Sequence, residues 1–168
     1  MTLMLVPALL AAIAISSADR QFIYTALQMN SDDVTISQAY ADSADHNVRA
    51  FAQVLHTDSS ESNEQLIPIA NSHGIHVSRA QGPGVPFEAT PLPSKLQPKG
   101  AERQMQQMPP TQFFQREISV DKKAIALYEH EEATTQDGQL KGYVARTLPF
   151  LKRHLAEATK GVQDERRR

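Results

Sequence analysis

Apolar and small side chains recur at alternating spacings of four and three residues in four stretches of this sequence. This spacing keeps one face of a helix turned toward a partner along its length. The four stripes consist of Phe22, Ala26, Met29, Asp33, Ile36 and Tyr40; of Val48, Ala52, Leu55, Ser59, Ser62, Leu66 and Ile69; of Phe114, Ile118, Asp121, Ile125 and Tyr128; and of Leu140, Val144, Thr147, Leu151, His154 and Ala158. Because no stretch alternates convincingly in the way that a strand would, we predict an all-α fold with four helices.

Turn and connection signals divide these helices into two pairs. Asp45 is a good N-cap for the second helix, and Thr134 to Gly138 makes the turn before the fourth. Seven of the ten prolines lie between Gly74 and Pro110, which indicates a long connection. Pro68 and Pro149 should each kink or terminate a helix. The prediction is an antiparallel four-helix bundle over residues 19–162, with hairpins 19–73 and 111–162, a Pro/Gly-rich connection 74–110 and a tail at 163–168.

The N-terminal segment resembles a secretory signal peptide. Leu3 to Ile15 is apolar throughout, but its roughly 13 residues fall short of the ~20 that a membrane-spanning helix needs. Small residues follow, so we expect cleavage after Ser16 or Ala18, with residues 1–18 as the signal peptide and export to the periplasm or outer-membrane periphery. Met1 and Thr2, which precede the apolar stretch, do not include the Lys or Arg that is usual there in a signal peptide. A start codon assigned too far downstream would explain this difference. The alternative is a buried N-terminal core helix.

Composition and motifs narrow the classes of function. With 17 basic and 19 acidic residues among 168, the net charge is -2, which excludes a basic nucleic-acid binder. The absence of cysteine excludes disulfides, thiolate catalysis, Cys-ligated zinc and a lipid-anchoring Cys, so that membrane association is peripheral at most. The sequence has no Gly-rich phosphate loop, G-x-S-x-G turn or H-E-x-x-H motif. We therefore predict a non-catalytic binding, structural or stress-related protein of the envelope.

One polar residue interrupts each apolar stripe part-way along: Asp33, Ser59, Asp121 and His154. Their distances from the turns place them at similar heights, which predicts one buried polar layer. A buried carboxylate must be paired, hydrogen-bonded or bound to a metal. Three interpretations stay open: a metal-free hydrogen-bonded layer without cofactor, a weak site for one iron or manganese ion, and a different helical register that does not bring these residues together. In such a layer the two acids should hold the imidazole charged and raise the pKa of His154.

Four segments in a fixed order resemble a known family: "SADRQFIYTA", "VRAFAQVLHTDSSESNEQL", "KKAIALYEHE" and "LKGYVARTLPFLKRHLAEA". They are similar to a bacterial ferritin-like family of unknown function, domain of unknown function 4142, whose members are commonly labelled outer-membrane or exported proteins. The resemblance covers nearly all of residues 18–160 outside the Pro-rich connection. It implies a signal peptide, an exported location and a ferritin-like four-helix fold, and it implies no established activity.

The resemblance also implies a set of ligand positions. The family carries a Glu in helix one, an Asp-His in helix two, and a His in each of helices three and four. The corresponding residues here are Asp33, Asp58-Ser59, Asp121 and His154, of which Asp58 and His154 are unchanged. The metal-ligand set that the resemblance implies is therefore Asp33, Asp58, Asp121 and His154, with Ser59 as a further member of the polar layer.

Overall fold

The computed structural model of the protein describes residues 15–79, 87–89 and 108–168. Its four long helices are α1 (Ser17–Ala39), α2 (His46–Ser72), α3 (Pro110–Thr134) and α4 (Gly138–Glu165). Two short strands, β1 (Val77–Arg79) and β2 (Phe87–Ala89), lie between α2 and α3. The prediction of an all-α protein with four helices is confirmed. Most of the predicted signal peptide and most of the predicted connection lie outside the described residues.

Short polar side chains fix where three of the helices begin. The Asp45 carboxylate accepts hydrogen bonds from the first-turn N–H groups of α2, and Asp137 does the same for α4. Ser16 caps α1 in the same way. These caps satisfy donors that have no partner inside the helix. α3 begins instead at Pro110, whose ring holds φ near the helical value and which has no N–H to satisfy. The predicted cap at Asp45 and the predicted turn before α4 are confirmed.

The C-terminal end of α2 depends on a glycine. Gly74 has a φ of 71°, in the left-handed region that favours glycine. This conformation lets the Ile75 N–H donate to the Ala70 carbonyl at 3.0 Å and the Gly74 N–H donate to the Asn71 carbonyl at 3.1 Å. The pair of bonds is a Schellman motif, and the Ile75 side chain is buried against the core beside it. The chain therefore leaves α2 at a defined angle.

Both interior prolines lie within continuous helices, so of the two predicted outcomes, a kink or an end of the helix, the second does not occur. α2 continues past Pro68 to Ser72, and α4 continues past Pro149 to Glu165. Both rings are on exposed positions of their helices. Water can therefore hydrogen-bond the carbonyl that each proline leaves without its helical donor, while the opposite face stays packed.

The chain also contains a pair of short strands that the hydrophobic pattern did not predict. β1 and β2 form an antiparallel pair with the register Val77↔Ala89, Ser78↔Glu88 and Arg79↔Phe87. Each strand has only three residues, too few for a period of two to stand out in the sequence. β1 lies against α2 and β2 against α1, so this ribbon flanks the first pair of helices.

The predicted stripes form the interior. α1 packs along α2 and α3 along α4, and the two pairs meet through α2 with α4 and α1 with α3. Every predicted position on the second and fourth stripes is buried, whereas Met29, Ile118 and Ile125 of the other stripes are half-buried. α4 also extends into the segment predicted as a tail, and Arg168 just beyond it forms an ion pair with Asp45.

Candidate functional site

A belt of buried polar side chains divides the core into two apolar clusters. One cluster contains Phe22, Leu27, Leu66, Tyr128, Leu140 and Val144, among others. The other contains Ile36, Val48, Phe51, Phe113, Phe114 and Val162, among others. Between them along the helices lies the polar belt: Asn30, Asp33, Ser59, Ser62, Asn63, Glu117, Asp121 and His154, all buried. All four residues predicted for the polar layer are buried in this belt, which contains more polar residues than the sequence predicted.

Three acidic side chains of the belt form what we call the carboxyl cluster: Asp33, Glu117 and Asp121. They are 5%, 0% and 2% exposed, and they lie close enough for the charges on Glu117 and Asp121 to act on Asp33. Ser59 Oγ donates a hydrogen bond to Asp33 Oδ2 at 3.4 Å. The structure thus brings together three of the predicted residues, Asp33, Ser59 and Asp121.

Glu117 is the member of this cluster that the sequence analysis missed. It lies one helical turn before Asp121 on α3, so both carboxyl groups fall on one side of that helix. That spacing of four was the available signal. Glu117 lies beside the third stripe and not on it, so the 4-3 spacing did not predict its burial.

Burial dominates the electrostatics of the carboxyl cluster. It raises the pKa of Asp121 to about 8, with a further contribution from the charge on Glu117. It also raises the pKa of Asp33 well above its usual value, and Glu117 and Asp121 add to the shift. Burial raises the pKa of Glu117 as well, although the guanidinium of Arg116 pairs with it and opposes the shift. Asp121 therefore holds a proton in the folded protein at neutral pH, and the pKa of Asp33 is shifted in the same direction.

The cluster keeps unused hydrogen-bonding capacity. Asp33 Oδ1, Glu117 Oε2 and Asp121 Oδ2 are buried and have no hydrogen-bond partner in the described part of the chain. Such groups are costly in a folded interior, since each has lost its water without replacement. A proton or a cation would lower that cost by reducing the negative charge.

His154 belongs to a different part of the belt from the one predicted. Its Nε2 lies 2.7 Å from Asp58 Oδ2, and Arg153 also pairs with that carboxylate. Its Nδ1 has no hydrogen-bond partner in the described structure, and the Phe51 ring meets the imidazole edge to face at 6.1 Å. The two positions that the family resemblance left unchanged, Asp58 and His154, therefore contact each other.

The predicted raised pKa of His154 is wrong. Burial lowers the pKa of the imidazole, and this outweighs the opposite effects of the hydrogen bond and charge of Asp58. The prediction assumed that Asp33 and Asp121 flank the ring. Instead His154 pairs with one carboxylate, which is itself shared with Arg153.

A hydrogen-bonded network adjoins the carboxyl cluster. Tyr143 OH lies 2.7 Å from Ser62 Oγ and 2.8 Å from Tyr128 OH. Asn30 Nδ2 donates to Ser62 Oγ at 3.2 Å and to Asn63 Oδ1 at 3.0 Å. Side chains from all four helices take part, so the network fixes how the helices stand relative to one another.

A separate pair of acids lies near the start of α1. Asp19 and Glu131 are both buried and share a hydrogen bond. Burial raises the pKa of Glu131 to about 7, and the nearby charge of Asp19 contributes to the shift. Asp19 also accepts a hydrogen bond from the Ser16 N–H at 3.3 Å. This pair links the beginning of α1 to α3.

The predicted ligands do not assemble into one metal centre. Asp33 and Asp121 belong to the carboxyl cluster, whereas Asp58 and His154 form a pair of their own. Within residues 15–79, 87–89 and 108–168, no group of three or more His, Asp or Glu side chains is arranged to hold a metal ion. The donor set implied by the family resemblance therefore does not fit a single ion in this arrangement.

The fold and the belt define a helical protein whose interior is interrupted by buried carboxyl groups. The family described as "Domain of unknown function (DUF4142)" matches residues 5–160, and the chain belongs to this family. The resemblance inferred from the sequence is thereby confirmed. A search of curated proteins finds no match.

The chain is also similar in fold to a solved structure, described as the crystal structure of a DUF305 fragment from Deinococcus radiodurans. The TM-score is 0.69, and the match covers 89% of this chain and 98% of that one at 12% sequence identity. At this identity the likeness concerns the fold alone. None of the helices among the described residues is long and apolar enough to cross a membrane.

Proposed function

We propose that this chain is an exported bacterial protein, located in the periplasm or at the periphery of the outer membrane, and that it acts there as a non-catalytic binding or stress-related protein. Its helices form an antiparallel bundle of the ferritin-like type, with the segment 74–110 connecting two hairpins. The apolar N-terminal segment of the sequence supports export. The short turns within each helix pair, and the contacts between the pairs, support the bundle arrangement.

The observation that carries this proposal is the carboxyl cluster. Asp33, Glu117 and Asp121 are buried together, and Arg116 supplies a positive charge to Glu117. An uncompensated carboxylate is unfavourable in such an interior, so protons bound from the medium stabilise the folded protein. An exported protein meets the pH of its surroundings directly. Through this cluster, acid therefore stabilises the folded bundle and rising pH destabilises it, which suits a role under envelope stress.

The position of these groups supports the absence of catalysis. A reacting group must come within hydrogen-bonding distance of a substrate. The three carboxyl groups are at most 5% exposed and lie between packed helices, so a substrate does not reach them in the folded state. Protons and small cations reach such a site through local opening of the helices.

Metal binding is the second candidate function. The three partnerless oxygens of Asp33, Glu117 and Asp121 favour it, because carboxylate oxygens are suitable ligands for iron or manganese. In this case a divalent cation would take the place of the protons after the side chains rotate toward it. The two candidates differ in what neutralises the cluster, and the same groups take part in both.

Elemental analysis of protein purified without chelator separates the two candidates. The proton-holding proposal predicts no stoichiometric metal, and it predicts that added manganese leaves the melting temperature at about pH 8 unchanged. Near-stoichiometric iron or manganese, with a melting temperature that rises on adding manganese to the apo-protein, would establish the metal-binding alternative. Asp33→Asn should abolish such a rise, and Asp42→Asn, at an exposed position between α1 and α2, is the matched control.

Location in the envelope has its own test. Fractionation of the producing bacterium should release the protein with the periplasmic contents or in a high-salt wash of the membranes. Retention in the membrane pellet after a carbonate wash would contradict peripheral association, and recovery with the cytoplasm would contradict export.

A further inference from the structure

The folded domain begins earlier than the sequence analysis assumed. Ser16 and Asp19 form a capping box at the start of α1: the Asp19 N–H donates to Ser16 Oγ at 3.0 Å, and the Ser16 N–H donates to Asp19 Oδ2 at 3.3 Å. Ile15, directly before the cap, packs against the apolar cluster that contains Phe22. Residues 15 and 16 are therefore part of the folded protein and not only of a leader.

The small-residue requirement of a leader peptidase permits three cleavage positions in this region. Such an enzyme selects small side chains at the first and third positions before the cut. Ala14 with Ala12, Ser16 with Ala14, and Ala18 with Ser16 all meet this requirement. The sequence alone gives no reason to prefer the first of them.

Cleavage at either of the two later positions would damage the start of α1. A cut after Ser16 or after Ala18 removes the cap residue and both capping-box hydrogen bonds. It leaves first-turn N–H groups without an acceptor and creates a positive α-ammonium group at the positive end of the helix dipole. A cut before Ile15 keeps the cap, because Ser16 then retains an ordinary peptide N–H.

The buried pair of Asp19 and Glu131 at the start of α1 also depends on Ser16. Asp19 accepts from the Ser16 N–H and shares a hydrogen bond with Glu131, both acids being buried. Without Ser16, Asp19 loses that donor while it remains beside a second carboxyl group. A mature chain that lacks Ser16 therefore has a weaker junction between α1 and α3 as well as a weaker helix start.

We infer that the processing site is the peptide bond between Ala14 and Ile15, cut by a leader peptidase that reads Ala12 and Ala14, and that the mature protein begins at Ile15. This inference rests on the proposed export of the chain. It replaces the expectation of cleavage after Ser16 or Ala18. The capping box and the packed side chain of Ile15 both require these residues in the mature chain.

The test is the N-terminus of the full-length precursor expressed in a Gram-negative bacterium and recovered from the periplasm. Intact-mass measurement and N-terminal sequencing should find a chain that begins at Ile15. A periplasmic chain that begins at Ser17 or Asp19 would overturn the inference and leave the proposed export intact. A chain that keeps Met1 and stays in the cytoplasm would overturn both.

Two matched variants make the position specific. Ala12→Tyr places a large ring at the third position before the inferred cut and at neither selected position of the two later cuts, so the precursor should accumulate with loss of the mature form. Ser16→Tyr changes a selected position of both later cuts and neither position read at the inferred one, so this variant should be processed like the wild type. The opposite result, normal processing of Ala12→Tyr and loss of processing in Ser16→Tyr, would place the cut after Ser16 or Ala18 and refute the inference.

Discussion

Replacing Asp121 with asparagine should flatten the pH dependence of the stability of this protein. The pKa of Asp121 is about 8 in the folded state, against 3.8 for an ordinary aspartate. Between these values the folded protein holds a proton that the unfolded chain has released. The stability due to this group is therefore fully present below the unfolded value and is lost as the pH rises toward the folded one. Asparagine has nearly the same shape and does not titrate.

The size of the effect follows from the two pKa values. A separation of about four pH units, at about 1.4 kcal/mol per unit, amounts to about 6 kcal/mol in the free energy of unfolding. Asp33 and Glu117 also have raised pKa values, so the carboxyl cluster loses its protons as a coupled unit and the wild-type decline is shared among three groups. The carboxamide has its own hydrogen-bonding cost of about 1 kcal/mol, which is the same at every pH and leaves the slope unaffected.

Urea unfolding followed by circular dichroism at several values between about pH 4 and about pH 8 measures this slope. The free energy of unfolding of the wild type should fall steadily over the interval, and that of Asp121→Asn should fall much less. Asp42→Asn is the matched control, since this aspartate is exposed, and it should keep the wild-type slope. A flat wild-type profile, or equal slopes for the wild type and Asp121→Asn, would refute the assignment of a bound proton to this group.

Three further predictions concern other parts of the interior. Burial lowers the pKa of His154 from 6.5, so its contribution to stability should be present above that value and be lost in acid, and His154→Gln should remove this acid-dependent loss in urea titrations. Because the pKa of Glu131 is about 7, Glu131→Gln should have a higher melting temperature than the wild type above about pH 7 and the same melting temperature near pH 4. The same difference in melting temperature at both pH values would contradict this prediction. Gly161→Ala should cost about 1–3 kcal/mol in urea unfolding, because its Cβ would lie 2.6 Å from the Phe114 ring. Gly138→Ala, which meets nothing within 4 Å, should be close to neutral, and equal costs at the two glycines would contradict the packing argument.

The sequence alone determines the helices and the faces that they bury. A cap such as Asp45 acts on N–H groups two and three residues further along the chain, so its effect can be predicted locally. Helical periodicity likewise involves residues three and four apart, and every position that it placed on the second and fourth stripes is buried. The strand pair between α2 and α3 escaped prediction, because three-residue strands depend on a partner elsewhere in the chain.

Only the tertiary structure decides which polar side chains of the interior meet. Height along the helices placed Asp33, Ser59, Asp121 and His154 at one level, yet the imidazole pairs with Asp58 on α2, while Glu117 joins the two aspartates. Neighbouring residues of a helix differ by about 100° in direction but only about 1.5 Å in height. Rotation of each helix about its axis therefore selects the partners, and that rotation is set by side-chain packing between helices far apart in the sequence.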